Sequence, residues 1–519
     1  MSFDHLSDFL TVLADRGDLA RIRVPVDSVL ELAAITQRMS RNGDAPALLF
    51  EDVRGSSFPV VTNLLGTDER LLLALNATSF EAIADRITAV IRPSLPADWF
   101  DALQLVPRFV ETARWPVRVV ERAIVQQVVK MGRDVNLAEL PILTSWPSEK
   151  HPVITGGQVF VQNPSDAPQT EVETPATPLP PIRRHVSSVP IQIKDRSSCF
   201  VHWTPHDSEW QLIQEYRSRG QQMPIAIAIG GDPVLTYVAE TSLPSFVDPL
   251  VFAGFLRSQN VEVTNARSIA VQVPANAEFI LEGVIDPNND FELAPPVAQS
   301  SGFYGVTERV PVMQVTALTH RGNPVWQAMI PPAAVGRALL PVGSEDGQEC
   351  PSYGVSESAV FARASEALFL PLIRLAIPEM VAIHRPASGA FRHIAFVSIR
   401  KTYPQQARKV MNAVWGLDRL CTTKLIVVVD ADVDVRCEPA VWSAVGAQTH
   451  PGRDTIFSDG PADMHDHARP IRGVGSRMGI DATRKLPDEG HSREWPDPLT
   501  TDPVTRQLLE ERWSSYGLR

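Results

Sequence analysis

The stretch VPANAEFILEGVIDPNNDFELAPPVAQSSGFYG, residues 273–305, decides how this chain is read. Its first half is an apolar, β-branched run closed by the turn residues DPNND, the pattern of a strand and a turn. A long loop follows. Glu278 and Glu282 lie in the strand, and the loop carries Glu292 and then no acid through Gly305. A strand that runs into such a loop predicts a β domain with functional loops, and its flanks agree. ITGGQVFVQNP (154–164), VPIQIKD (189–195), SSCFVHWT (197–204) and PIAIAIGGDP (224–233) are further short β-rich runs bounded by Gly, Pro or Asn. Together they predict a compact barrel or sandwich over 119–330. SEWQLIQEYRSRG (208–220) reads as a helix stopped by Gly220, and PLVFAGFLRS (249–258) as a helix with Pro249 in its first turn. QTEVETPATPLPPIRR (169–184) reads as a loop longer than most.

Either side of this block the character changes. Residues 1–118 begin with an amphipathic helix carrying Phe3, Leu6, Phe9, Leu10 and Leu13, followed by strands at ALLFEDV (47–53) and FPVVTNLL (58–65). Residues 331–485 alternate helix and strand: VSESAVFARASEALFLPLIRL, HIAFVSIR, YPQQARKVMNAVWG, KLIVVVDADVDV and AVWSAVGAQT. That rhythm predicts an α/β domain with a mainly parallel sheet. Residues 486–519 read as a peripheral helical tail. The fold class expected is thus α/β and β multi-domain, in keeping with 519 residues.

Composition narrows the function. A net charge of −12 argues against nonspecific nucleic-acid binding, which needs a basic footprint. No 18-residue apolar run is present, so no membrane span is expected. The N-terminus lacks a basic segment followed by an apolar one, so no signal peptide is expected either. The four cysteines, at 199, 350, 421 and 437, form no CxxC pair and fit a reducing, cytoplasmic setting.

Local motifs give less. P-loop, GxGxxG, GxSxG and HExxH patterns are absent, and no nucleophile–base pair is visible. IGGDP (229–233) reads as a tight turn or as a close backbone approach to a phosphate or flavin. His202, between Val201 and Trp203, reads as a structural histidine or a ligand. With His185 and Asp248 it would make up a donor set for a divalent metal. DADVDV (430–435) reads as a solvated strand end, and HDH (465–467) as a surface loop.

Several segments taken together resemble the UbiD family of reversible decarboxylases. They are LPILTSWPSEKHPVITGGQVFVQNP (140–164), IQIKDR with VHW (191–203), MPIAIAIGGDP (223–233), VPANAEFILEGVID (273–286), EALFLPLIRLAIPEMVAI (366–383), AFRHIAFVSIRKTYPQQARKVMNAVWG (390–416), KLIVVVDADVDV (424–435) and GSRMGIDATRK (475–485). The resemblance implies a split β-barrel like that of flavin reductases, binding prenylated FMN supplied by a partner flavin prenyltransferase. It implies a C-terminal α/β domain that mediates homo-oligomerisation to dimers or hexamers. It also implies a divalent metal, Mn or Fe, with K+ as a possible second ion. In the family an Arg flanked by two Glu residues handles the substrate acid, and an Asn, a His and a Glu hold the metal.

Carried over residue by residue, the resemblance departs from the family at the site. The Asn position is His185 and the Arg position is Pro190. The metal His matches His202, while the metal Glu position is Pro249, one beyond Asp248. The loop ELAPPVAQSS is about two residues shorter than the family's ELAPEGPFGE-like loop and carries neither catalytic Glu. Lys401 keeps a cofactor-contacting Lys. The resemblance thus places the metal on His185, His202 and Asp248, and the cofactor beside Arg183, Ser188, His202 and Lys401. The acid is left to Glu292 or Glu308. Two readings follow. One is a decarboxylase of an aromatic or α,β-unsaturated acid with an atypical site, for which an aromatic acyl-CoA thioester is one substrate; Arg183 and Arg184 would then meet CoA phosphates unless they are a solvated pair. The other is a non-catalytic subunit that assembles with an intact paralogue.

Overall fold

The computed structural model describes residues 3–40, 45–91, 115–164, 184–241, 243, 247–289, 291–333, 356–417, 420–493, 495–496, 499 and 501–517. The opening helix Leu6–Arg16 buries Leu6, Phe9, Leu10 and Leu13 and stops at Gly17, whose φ of 79° needs glycine. Strands Leu19–Ile22, Ala47–Phe50 and Val60–Thr62 form a sheet whose fourth strand, Trp326–Gln327, arrives from the far end of the barrel segment.

Among the described residues the central sheet has nine strands and runs, in order, Val153–Ile154, Ile191–Ile193, Ser198–Val201, Val312–His320, Phe279–Ile285, Met223–Ile229, Gln158–Gln162 and Arg184–Ser187, with Val128–Met131 also paired to Val312–His320. Every pairing is antiparallel. The sheet curls, and the alternation in MPIAIAI explains its two faces. Ile225, Ile227 and Ile229 fill the concave core with Val159, Val161 and Leu281. Ala226 and Ala228 face the other way, where their small size lets helices Pro233–Glu240 and Pro249–Arg257 lie close. At Glu282 and Gly283 the register slips by a bulge, and the Gln314 carbonyl leaves no room there for a side chain.

The glycine pair after this strand is a packing turn. Gly230 and Gly231 both have positive φ, 68° and 98°, and Gly231 lies against the backbone of Asn276 and Ala277. The helix it feeds, Pro233–Glu240, was not expected from sequence. Its signal was Asp232 capping the Val234 amide with proline at the first helical position.

The C-terminal sheet runs Met380–His384, Ile394–Ile399, Leu425–Asp430, Val474–Ala482 and Thr455–Pro461. Its two inner pairings are parallel and its two edge pairings antiparallel. Helices Gln406–Gly416 and Glu438–Gln448 pack on its faces. Helix Glu357–Ala376 joins this domain to the rest. Phe361 stacks edge-on against Tyr237 at 5.5 Å, and the Leu65 amide donates to Glu357 at 2.9 Å. The tail helix Pro503–Arg512 is exposed along its whole length. No helix among the described residues is long and apolar enough to cross a membrane.

Glu357 carries a pH dependence. Burial pushes its carboxyl up to about 7, against backbone donors at Leu65 and Leu64 and the charge of Arg70 that oppose the shift. A carboxyl whose folded value is raised contributes most while protonated. Stability should therefore fall as pH rises from its unfolded range near 4.5 to about 7. The loss is on the order of 3 kcal/mol. Glu357→Gln, which keeps an acceptor for Leu65, is expected to melt higher than wild type at pH 8 and close to it at pH 5. Parallel melting curves at both pH values that show no such divergence would count against this account.

Candidate functional site at the junction of barrel and C-terminal domain

The loop read first from sequence lies where the barrel meets the C-terminal domain. Strands Glu292–Ala294 and Glu308–Val310 form a hairpin, and the loop between them closes on itself through Gln299 and Phe303. Phe303 packs against His467 with ring centroids 4.5 Å apart, and Arg472 pairs with Glu308 at 3.0 Å. The HDH segment is therefore part of the junction rather than a free surface loop. His465 is neutral at ordinary pH, since burial and the nearby Arg392 push its imidazole down to about 4.

His202 sits just past strand Ser198–Val201 and is buried. Its Nε2 lies 3.4 Å from Gln192 Oε1, its Nδ1 4.0 Å from Glu308, and its amide donates to the Pro190 carbonyl at 3.2 Å. Glu308 is held below the usual carboxylate range by His202 and Arg472, against its own burial. It is an anion here, suited to fixing His202 and poorly suited to giving up a proton. Glu292 lies on the outer hairpin, about half exposed and paired with Lys194 at 2.6 Å. Neither proposed acid therefore has the environment of a proton donor.

The structure does not bring the metal set together. Asp248 caps the first turn of helix Pro249–Arg257 through the amides of Leu250 and Val251. Its other oxygen binds Arg184 at 3.0 Å, and Arg184 also reaches Gln272 at 2.7 Å. This spends Asp248, and Arg184 is not a solvated cation. His185 lies in strand Arg184–Ser187, paired with Gln158–Gln162. Among the described residues, no three His, Cys, Asp or Glu side chains are grouped to hold a metal ion. Lys401 is buried and bound to Glu489, Thr483 and the Arg484 carbonyl, all within its own domain. Arg183 lies outside the described residues.

Ser188 has a different partner. Its side chain lies beside Glu240, at the end of helix Pro233–Glu240. Glu240 keeps accessible surface, yet it lies deep enough that desolvation raises its carboxyl above the ordinary range. Sequence reasoning missed Glu240 because a lone Glu at a helix end carries no motif. It also missed Glu149, a buried carboxylate beneath the loop that accepts from the amides of Ser145, Trp146 and Ala298 at 2.8, 3.1 and 3.2 Å. Burial raises its carboxyl against those donors. Glu149→Ala would strand three donors, at about 1–3 kcal/mol for each that stays buried. Hydrogen exchange at Ala298 is expected to speed up at least tenfold, and unchanged exchange would exclude the clamp.

Glu278, just before strand Phe279–Ile285, and Glu282 within it are structural. Glu282 accepts from the Arg267 and Ser268 amides and the Ser268 hydroxyl. Glu278 accepts from Arg321 and the Val325 amide. Cys199 is fully buried, and burial pushes its thiol up to about 12, which removes it as a nucleophile.

Family models fit the chain in three consecutive pieces. The N-terminal, Rift-related and C-terminal domains of 3-octaprenyl-4-hydroxybenzoate carboxy-lyase match residues 10–89, 118–334 and 359–482. The chain belongs to the UbiD family. An uncharacterised protein of Aquifex aeolicus is 34% identical over 514 residues, covering 99% of this chain and 98% of its own. One of Archaeoglobus fulgidus is 33% identical over 516 residues, with the same coverage. Among solved structures, the UbiD-class enzyme HmfF of Pelotomaculum thermopropionicum in complex with FMN is 26% identical with a TM-score of 0.73, covering 97% of this chain and 98% of its own. Vanillic acid decarboxylase of Sedimentibacter hydroxybenzoicus shares the fold at 22% identity. Its closed form gives a TM-score of 0.80 with full coverage of both chains, and an open form 0.71. The UbiD fold, with its curled barrel sheet and α/β domains, thus spans this chain from end to end.

Proposed function

We propose that this UbiD-family protein catalyses non-oxidative decarboxylation, or the reverse, of an aromatic or α,β-unsaturated carboxylic acid, with prenylated FMN bound between barrel and C-terminal domain. The observation that carries this reading is the polar junction of barrel and C-terminal domain, where Glu308 pairs with Arg472 and Phe303 packs on His467. Barrel groups Ser188, His202, Glu240 and Glu308 face C-terminal groups Arg392, His465 and Arg472 across it. The Ser187 hydroxyl and the Gln192 amide nitrogen, buried and without hydrogen-bond partners among the described residues, fit a polar ligand on the barrel wall.

When bound, the modified flavin supplies an electron sink for the pair left by departing CO2. The chain's own groups do the rest. His202 is fixed by Gln192 and Glu308 on the barrel wall. Glu240, with its raised carboxyl, holds the proton that replaces CO2 on carbon. Phe303 on His467 and the Arg472–Glu308 pair keep the two walls together and limit water. No step is assigned to a metal, because Asp248 is already committed. Assembly as a homo-oligomer belongs to this reading, and the exposed tail helix with Leu508 and Trp513 offers apolar surface for it.

The test is purification with and without a co-expressed flavin prenyltransferase, followed by native mass spectrometry and a screen of aromatic acids for CO2 release. Bound prenylated FMN with turnover of one acid is expected. A colourless, flavin-free protein under both conditions would favour the non-catalytic subunit.

A further inference from the structure

A pocket lies between helix Ser208–Ser218 and the hairpin of strands Glu292–Ala294 and Glu308–Val310. The helix presents Trp210, Gln214 and Arg217 on one face, four and three residues apart. Phe291, just before the first hairpin strand, and Arg309 in the second form the opposite wall. The space between them is about 490 Å³. Small-molecule sites span about 300 to 1,000 Å³. Successive strand residues face opposite ways, so Arg309 turns away from the side on which Glu308 meets Arg472. The pocket is therefore separate from the junction.

Phe291 is its centre. Trp210 meets the Phe291 ring edge-on at 5.2 Å, and both rings rest on the barrel core. The Arg217 guanidinium lies 5.6 Å from the same ring, and Arg309 Nη1 donates to the Phe291 carbonyl at 2.7 Å. Arg217 Nε donates to the Pro287 carbonyl at 2.6 Å and its Nη1 to Gln214 at 3.3 Å. Neutral oxygens thus hold both guanidiniums in place and leave their charge uncompensated. The neighbouring acids are engaged elsewhere. Glu215 pairs with Arg219 at 2.7 Å, Glu292 with Lys194 at 2.6 Å and Glu308 with Arg472 at 3.0 Å, while Asp286 accepts from the Asn288 amide at 3.0 Å. Neither Arg217 nor Arg309 is in an ion pair among the described residues, although the chain's net charge is −12. Two fixed positive charges beside two aromatic rings suit an anion that carries a flat ring. The planar guanidinium fork matches phosphate oxygens, and two such forks suit the near-double charge of a phosphate monoester better than a carboxylate.

We propose that this pocket binds a mononucleotide, with the base against Trp210 and Phe291 and the phosphate between Arg217 and Arg309. The inference does not depend on the decarboxylase reading above. It gives the chain a small-molecule site beyond the junction, on the outward face of the same hairpin.

AMP, GMP, CMP and UMP are titrated calorimetrically into wild type, Arg217→Gln, Arg217→Lys, Arg309→Gln and Trp210→Leu. The matching nucleosides and inorganic phosphate serve as partial ligands. At least one nucleotide is expected to bind wild type. Each glutamine variant should raise its Kd about 10- to 100-fold, the range for a charged hydrogen bond. Arg217→Lys should recover part of that loss. Trp210→Leu should raise the Kd about 5- to 100-fold through lost stacking on the base. Nucleoside and phosphate should each bind more weakly than the nucleotide. Arg309 is exposed, so its variant tests the site even if Trp210→Leu unsettles the barrel. A wild type that binds none of the four nucleotides would overturn the proposal. So would an unchanged Kd in Arg309→Gln, which would place the nucleotide elsewhere on the chain. Inorganic phosphate binding as tightly as the nucleotide would also overturn it, by reducing the pocket to an anion patch.

Discussion

Glu240→Gln is expected to keep its flavin and to lose at least about 100-fold in decarboxylation rate, the usual scale of a general acid. The residue stands at the end of helix Pro233–Glu240, beside Ser188, and the charge of Arg392 in the C-terminal domain acts on it. Desolvation is the largest influence on its carboxyl and raises it; Ser188 and Arg392 pull the other way. A carboxyl raised by desolvation is the better proton donor of the two, because Glu308 is held low. The sign of the pH dependence follows. Activity that requires protonated Glu240 is present below its folded pKa and declines as pH rises through it. Glutamine should remove that limb of the profile as well as the rate. A variant within threefold of wild type, with the same pH profile, would move the proton source elsewhere.

Arg257→Ala should have the largest effect on stability. Arg257 is 3% exposed at the end of helix Pro249–Arg257 and is ion-paired to both Asp232 and Asp4. Asp232 is itself buried, and desolvation raises its carboxyl against the pull of Arg257. Removing the arginine leaves a buried carboxylate uncompensated, at a cost of about 3–5 kcal/mol. That corresponds to a fall in melting temperature of roughly 10 °C. Asp232→Asn in the same chain should recover part of the loss, because asparagine still caps the Val234 amide. A single variant that melts within 2 °C of wild type would show that water or another group replaces the guanidinium.

The fold was legible because its signals are local or periodic. The alternation of MPIAIAI, the opening helix and the strand–loop at 273–305 each follow from short-range pattern, and the UbiD resemblance joined them. The site was less so. Asp248 carries a signal that sequence does contain, an Asp–Pro step at a helix start, and its capping role outweighs ligation. HDH reads as surface because nothing local shows that Phe303, over 160 residues away, closes on it. Glu149, Glu240 and Arg392 have no motif at all. Each acquires its chemistry only when distant segments meet, which is where pattern reading runs out.

The strand Trp326–Gln327 has a consequence for how the chain acquires its shape during synthesis. The N-terminal sheet needs it as the neighbour of Val60–Thr62. Until that strand leaves the ribosome, the first unit keeps an open edge and cannot complete itself, although most of its residues emerged long before. N-terminal and barrel segments therefore mature together rather than in turn, and the half-made chain carries an unpaired strand that must be kept from other chains.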